Sequence, residues 1–475
     1  MTFHFLIQED DMIQLLRREP GFYKHLVLLA LPMVLQNLIT TSLGFVDTFM
    51  VGLLGNNELS AVTAANTPIF LIQVIVFGLM SGLSVLASQY WGKGDTEAIN
   101  RCMGVVLYFG LAVSGLMALI LFLRPAFVMG VVTDNALLIR IGAPYLRIVG
   151  VSYVFNAVSS VYVSMQRSTE NPHLGMMVFG FSMLLNTFLN YCLIFGHFGL
   201  PALGVTGAAV ATLLSRVAEF LIVAVYALRS TRVPLLPRAL LHPGRAVCRS
   251  VLHYSGPVMI NETFWGLGTS VMTAIFGHMA ISADMLAAHA IIGNIDKFST
   301  VACFGLAGAT SVVVGKRIGE GADREEVYSL GSCLLLLSFL LGLVIALSLA
   351  ILLPTFFLPV LFPLFKLTPQ ATYIASCMCL AYLLLTPTRS FDITNITGLL
   401  RAGGDTRMAA VLDLVPLWCL AIPLTALGAL VLDAPILLVC ITTHCESLLK
   451  TPLGVLRLRS RKWINQVTLS HGEVA

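Results

Sequence analysis

The sequence predicts an all-α polytopic membrane protein, with twelve transmembrane helices in two parallel six-helix repeats. Three observations carry that prediction: composition, the spacing of charge-free stretches, and an internal repeat. Of 475 residues, 57% are hydrophobic and only 11% are charged, whereas an ordinary soluble domain is about a quarter charged. So few charges cannot cover the surface of soluble domains built from this many aliphatic side chains. Residues 59–92, 102–123, 148–166, 171–215 and 327–365 contain no Asp, Glu, Lys or Arg. A helix needs roughly 20 apolar residues to cross the hydrocarbon core, so each stretch holds one span and the longer ones hold two. The strict alternation of barrel strands is absent. Helices remain, because they satisfy their own backbone hydrogen bonds in lipid.

Spans are expected near 25–53, 60–88, 102–123, 138–165, 174–195, 204–228, 251–276, 285–313, 328–352, 371–399, 408–431 and 434–455. The long run 171–215 is broken at the turn-forming cluster Gly196-His197-Phe198-Gly199-Leu200-Pro201. Lys and Arg test the count, since cytoplasmic loops are enriched in them. With both termini inside, 21 of the 28 basic residues fall in inner segments, Arg401 and Lys450 among them. The outer loops hold only Arg124 and Lys366. A single miscounted helix would move every later loop to the other side and destroy this asymmetry. The polar, amphipathic segment Met1–Lys24 leads into a full-length span, so no cleavable leader is expected.

The chain repeats itself. Residues 78–94 match 305–321 at an offset of 227, pairing Gly78 with Gly305, Ser84 with Ser311 and Gly92 with Gly319, and Pro32 pairs with Pro257 at 225. Glu219 and Glu446 correspond late in the sixth span of each half. Six helices is an even number, so both halves thread the membrane in the same sense, as in transporters that alternate access by moving one half against the other. The expected organisation is a cytoplasmic N-terminal segment 1–24, a first lobe 25–228, a connector 229–250, a second lobe 251–456 and a cytoplasmic tail 457–475.

An acid deep in a membrane helix is costly unless it faces a cavity or a partner, so each is a functional candidate. The strongest are Asp47 in the first span, Glu262 in the seventh and Asp392 in the tenth. They break the repeat: Glu262 falls opposite Asn37, and Asp47 opposite Met272. Packing needs common to both halves should appear in both, so unmatched acids point to a site used once. A carboxylate in a low-dielectric cavity can hold a proton, a sodium ion or an organic cation in turn, which is the minimum chemistry of an antiporter. Glu262 and Asp392 are expected to share one ion, sodium if the ion is a metal, with Asn294 and Asn395 as neutral oxygen donors. Structural alternatives stand beside these readings. Arg389, three residues before Asp392, could simply pair with it. Asp296 and Lys297 form an adjacent charged pair in the eighth span, expected to neutralise each other or face the cavity. Arg216 and Glu219 read as a helix-surface ion pair that fixes packing, and Glu446 lacks the corresponding base.

Other functions find little support. No phosphate loop, HExxH or GxSxG motif is present, so neither an enzyme nor an ATP-driven pump is expected, and no cofactor is called for. An ion gradient remains as the energy source. The basic residues of 457–462 are accounted for by anionic lipid headgroups rather than nucleic acid. The ten cysteines lie mostly in apolar stretches without metal-ligand spacing and read as small buried hydrophobes.

Several motifs, taken in order, resemble the multidrug and toxic compound extrusion family. They are Leu31-Pro32 with Gly44-Phe45-Val46-Asp47-Thr48-Phe49-Met50-Val51-Gly52, Gly92-Lys93-Gly94-Asp95, Gly256-Pro257 with Asn261-Glu262, and Arg401-Ala402-Gly403-Gly404-Asp405-Thr406. The resemblance spans about residues 20–456. It implies a V-shaped pair of lobes and export of organic cations or drugs across the cytoplasmic membrane. The chain is expected to work as a monomer among membrane lipids. The resemblance places Asp47 at the family's first-helix acidic position, and Glu262 and Asp392 at the two second-lobe positions tied to coupling by sodium or protons. One branch of the family carries a fifth-helix aspartate where this chain has Asn190. An amide cannot take up a proton, so coupling is expected in the second lobe, with sodium as the leading ion. The rival reading is a flippase for lipid-linked or amphiphilic intermediates, which Lys297, Arg389 and Arg147 would serve as anion-binding groups.

Overall fold

A computed structural model describes residues 18–468, apart from the side chain of Leu71. The rest of the expected N-terminal segment and C-terminal tail lies outside the described residues. Twelve long helices follow one another: α1 (Pro20–Gly52), α2 (Asn56–Lys93), α3 (Thr96–Leu123), α4 (Ala136–Ser168), α5 (His173–Phe195), α6 (Val205–Arg229), α7 (Arg245–Gly277), α8 (Ser282–Gly319), α9 (Arg324–Leu364), α10 (Pro369–Leu400), α11 (Thr406–Leu430) and α12 (Ile436–Arg459). Eleven are long and apolar enough to cross a membrane by themselves. The exception is α7, whose middle carries Asn261 and Glu262 and whose first turns carry Arg245, Arg249 and His253. Polarity in the helix that bears a candidate site is what lowers its hydropathy.

The long helices extend several residues beyond their apolar runs, and local capping explains where they stop. Asp95 caps α3 by accepting from the Ala98 N–H, and Asn135 caps α4 by accepting from Leu137 and Leu138. Gly94, at φ 76°, ends α2 in the left-handed conformation that glycine adopts without strain.

The described residues form two compact units, 18–30 with Ile260–Val467, and Leu31–Met259. The division falls inside α1 and α7. In the 31–259 unit, an apolar core gathers Val51, Ile69, Ile72, Leu121, Met129 and Leu146. Its connector is tied down: Asn100 donates to the Pro234 carbonyl at 3.1 Å, Tyr108 donates to the Leu241 carbonyl at 3.1 Å, and the short helix Pro237–Leu241 rests on Gly104. A second core in the 260–467 unit gathers Phe276, Met285, Ile292, Phe362, Ile374 and Val439. Helix faces turned away from these cores stay apolar, as Leu116 at 60% and Leu184 at 71% exposure illustrate. Such faces suit lipid rather than water.

Only in the 260–467 unit do the described helices widen into π turns, at Leu353–Leu361 in α9, Thr394–Leu400 in α10 and Leu417–Ala421 in α11. Single π turns inside α-helices often mark functional sites. The turn in α10 begins two residues after Asp392. The α10 segment just before it lies close against α9, because Gly342 leaves only 2.7 Å between a notional Cβ and both Pro387 Cα and Ser390 Cβ. Ser338, one turn earlier on α9, bonds the Ser390 carbonyl at 2.6 Å and the Thr394 hydroxyl at 2.6 Å. Gly342→Val should therefore force α9 from α10 at a cost of about 1–3 kcal/mol. Thermal unfolding in detergent, followed by fluorescence-detected size exclusion, should show the lower midpoint. An unchanged midpoint would refute the close-packing account.

Candidate functional site

In the 31–259 unit, Asp47 lies late in α1 and is held by α5. Asn190, buried at 1% exposure, donates to Asp47 Oδ1 at 2.6 Å and to Asn186 Oδ1 at 3.0 Å. Asn190, an amide where an aspartate could have taken up a proton, is thus the donor that fixes Asp47. Arg216 and Glu219 do pair, at 2.6 Å, but Glu219 is wholly buried and also accepts from Asn156 at 3.4 Å. The pair lies on a helix face that is turned into the interior.

The 260–467 unit holds a larger set of charges, and its pairing corrects several expectations. Arg389 does not pair with Asp392 one turn away. It crosses to α8 and grips Asp296 with two hydrogen bonds of 2.8 and 3.2 Å, its guanidinium 4.9 Å from the Tyr382 ring centroid. A bidentate pair over an aromatic face suits arginine better than a single contact along its own helix. Asp296 consequently does not depend on Lys297 for neutralisation, and Lys297 and Asn294 are exposed on α8. Arg401 is no loop residue either. It is 4% exposed and donates to Glu262 Oε1 at 2.8 Å. Lys450, also assigned to an inner segment, is buried on α12 and donates to Asp413 Oδ1 at 2.8 Å, while Asn261 donates to Asp413 Oδ2 at 2.9 Å. Glu446 does have a basic neighbour: Lys450, one helical turn on, at 3.8 Å.

Glu262 and Asp392 are held by different partners. Asp392, 5% exposed, accepts from the Thr451 hydroxyl of α12 at 2.9 Å through Oδ1, with the Ser447 hydroxyl beside it. Its Oδ2 is buried with no hydrogen-bond partner, and so is Oδ1 of Asn395, one turn along α10. A carboxylate oxygen and an amide oxygen, both without partners and one helical turn apart, are oxygen donors of the type a hard cation takes up. A proton could be held by the same carboxylate oxygen instead.

Sequence reasoning missed Asp413, Lys450 and the second role of Asn261. Asp413 sits seven residues into the apolar segment Thr406–Pro416, and the rule that found Asp392 applies to it equally. The spacing of Glu446 and Lys450 was a readable i,i+4 signal.

The MatE family profile matches residues 32–192 and 257–427, one match in each repeat. The chain is 24% identical over 461 residues to a probable multidrug resistance protein NorM of Thermotoga maritima, covering 96% of both chains. It is 30% identical over 423 residues to a probable NorM of Bradyrhizobium diazoefficiens, covering 84% of this chain and 87% of the other. A solved MOP superfamily transporter from Pyrococcus furiosus superposes with a TM-score of 0.82 at 20% identity, over 94% of this chain and 97% of that one. The duplicated profile, the two sets of six helices and the full-length relatives place this chain in the MatE family, the multidrug and toxic compound extrusion transporters.

Proposed function

We propose that the protein is a secondary active antiporter that exports organic cations or drugs across the cytoplasmic membrane in exchange for a coupling cation. Both termini lie on the cytoplasmic side, as the Lys and Arg asymmetry requires, and the single chain is the working unit. The observation that carries the reading is the buried Asp392 carboxylate, whose Oδ2 has no hydrogen-bond partner. A charge left in this state needs a counter-ion, and one that comes and goes can couple transport to a gradient. Sodium is the leading ion, because Asn395 offers a second orphaned oxygen in the same helix. A proton would need only the carboxylate. Asp47, anchored by Asn190, supplies the acid of the first lobe, where a cationic substrate can be drawn by its charge. The names of the bacterial NorM relatives support multidrug export.

Ethidium efflux from proteoliposomes tests the reading. An imposed inward sodium gradient should drive efflux at constant pH. Drive by a proton gradient alone would move the coupling to protons. Drive by neither, together with translocation of a fluorescent phospholipid, would replace the antiporter with a flippase.

A further inference from the structure

Three close ion pairs join helices inside the 260–467 unit, and two buried acids stand outside them. Arg389 takes Asp296, Arg401 takes Glu262, and Lys450 takes Asp413, each at 2.8 Å. Asp392 has hydroxyl donors but no ion pair within 4 Å among the described residues. Glu446 has only the second claim on Lys450, at 3.8 Å against 2.8 Å for Asp413. Each leftover acid keeps one buried oxygen without a hydrogen-bond partner, Asp392 Oδ2 and Glu446 Oε2.

The repeat supplies an internal control. Glu219, in the corresponding sixth helix of the first half, is fully buried, bound by Arg216 at 2.6 Å, and further satisfied by Asn156. The acid is therefore locked in one half and only half-neutralised in the other. Local backbone differs as well: α6 is unbroken, whereas α12 consists of Ile436–Thr442 and Glu446–Arg459 separated by a turn. Glu446 opens the second segment. Interrupted membrane helices recur at the ion sites of transporters.

We propose that Glu446 is a second cation-exchange site, so that this half takes up two monovalent cations per cycle, one at Asp392 and one at Glu446. The two sites adjoin along α12. Ser447 and Thr451 present hydroxyls to Asp392, while Glu446 and Lys450, each one residue earlier, form the neighbouring ridge toward Asp413. The charged and titratable groups facing Glu446 are Cys445 and Lys450 on its own chain segment, Arg389, Tyr382 and Asp392 on α10, and Asp413 on α11. When Glu446 holds no cation, Lys450, 3.8 Å away, is the base that leans toward it. When a proton or sodium ion occupies Glu446, Lys450 is released wholly to Asp413. Lys450 thereby links occupancy on α12 to the α7–α11 contact made by Asn261.

This inference rests on the antiporter reading, and its test separates the two. Purified full-length protein is titrated for bound 22Na+ and for protons displaced by it, in the wild type, Asp392→Asn, Glu446→Gln and the double variant. Two cations are expected in the wild type, one in each single variant and none in the double. Glu446→Gln binding as many cations as the wild type would overturn the inference and leave the antiporter reading intact. A wild type that binds neither ion would remove both. Labelling of the wild type with dicyclohexylcarbodiimide, mapped by mass spectrometry, gives a readout that needs no variant to fold. Asp392 and Glu446 should be modified and protected by sodium, with Asp413 and Asp296 spared. Modification of Asp392 without Glu446 would refute the second site.

Discussion

Asp392→Asn is expected to cut the ethidium gradient that vesicles sustain by about 50-fold per 100 mV of imposed potential, with insertion and thermal stability retained. One monovalent charge moving through 100 mV is worth about 2.3 kcal/mol, and each 1.4 kcal/mol is a factor of ten. The amide matches the carboxylate in shape, and the Thr451 hydroxyl can bond either group. What disappears is the charge that must be met by a cation. Since Asp392 has no ion-pair partner, no base is stranded by its removal. Neutralising an unpaired buried charge should if anything stabilise the folded state. The measurement is dye accumulation in inverted vesicles at a clamped potential, alongside the melting midpoint in detergent. An unchanged gradient would end the coupling assignment of Asp392. A collapsed midpoint would show instead that the carboxylate holds α10 to α12.

The fold was legible because membrane insertion imposes rules that act along the chain. Charge-free stretches, the one-sided basic residues and the Gly-rich repeat at 78–94 and 305–321 each require no knowledge of which helices touch. The short helix Pro125–Val132 and the π turns were not legible, since hydropathy does not distinguish an α turn from one residue more. The candidate acids were visible one at a time as charges in apolar runs, but their partners were not. Arg389 illustrates the reason. Its spacing from Asp392 invites a pair within one helix, yet Tyr382 on the same helix and Asp296 on α8 together offer a stacked, bidentate site. Arg401 and Lys450 were hidden differently. Counting them as loop charges satisfied the orientation rule, although both lie buried, Arg401 at the end of α10 and Lys450 within α12. Glu262 carries the consequence for function: its charge in the sequence suggested a free ligand, and its position in the fold gives it a guanidinium.

Glu262→Gln should therefore behave unlike Asp392→Asn. It deprives Arg401, 4% exposed, of the carboxylate at 2.8 Å. Removing one partner of a buried ion pair costs about 3–5 kcal/mol. The lower end is expected here, because the charge of Asp413 also reaches Arg401. The reverse substitution, Arg401→Gln, should cost less. It leaves Glu262, whose side chain is 23% exposed and can draw on water. The double variant should regain most of the loss, since no buried charge is then left over. Thermal unfolding of the four proteins gives the cycle, and equal midpoints throughout would show that the pair contributes nothing. Transport by the double variant then assigns Glu262 its role. If stability and efflux return together, Glu262 is a clamp that fixes α7 against the end of α10. If stability returns and efflux does not, the carboxylate must leave Arg401 during the cycle to meet a cation. In that case the guanidinium is the competitor a coupling ion displaces.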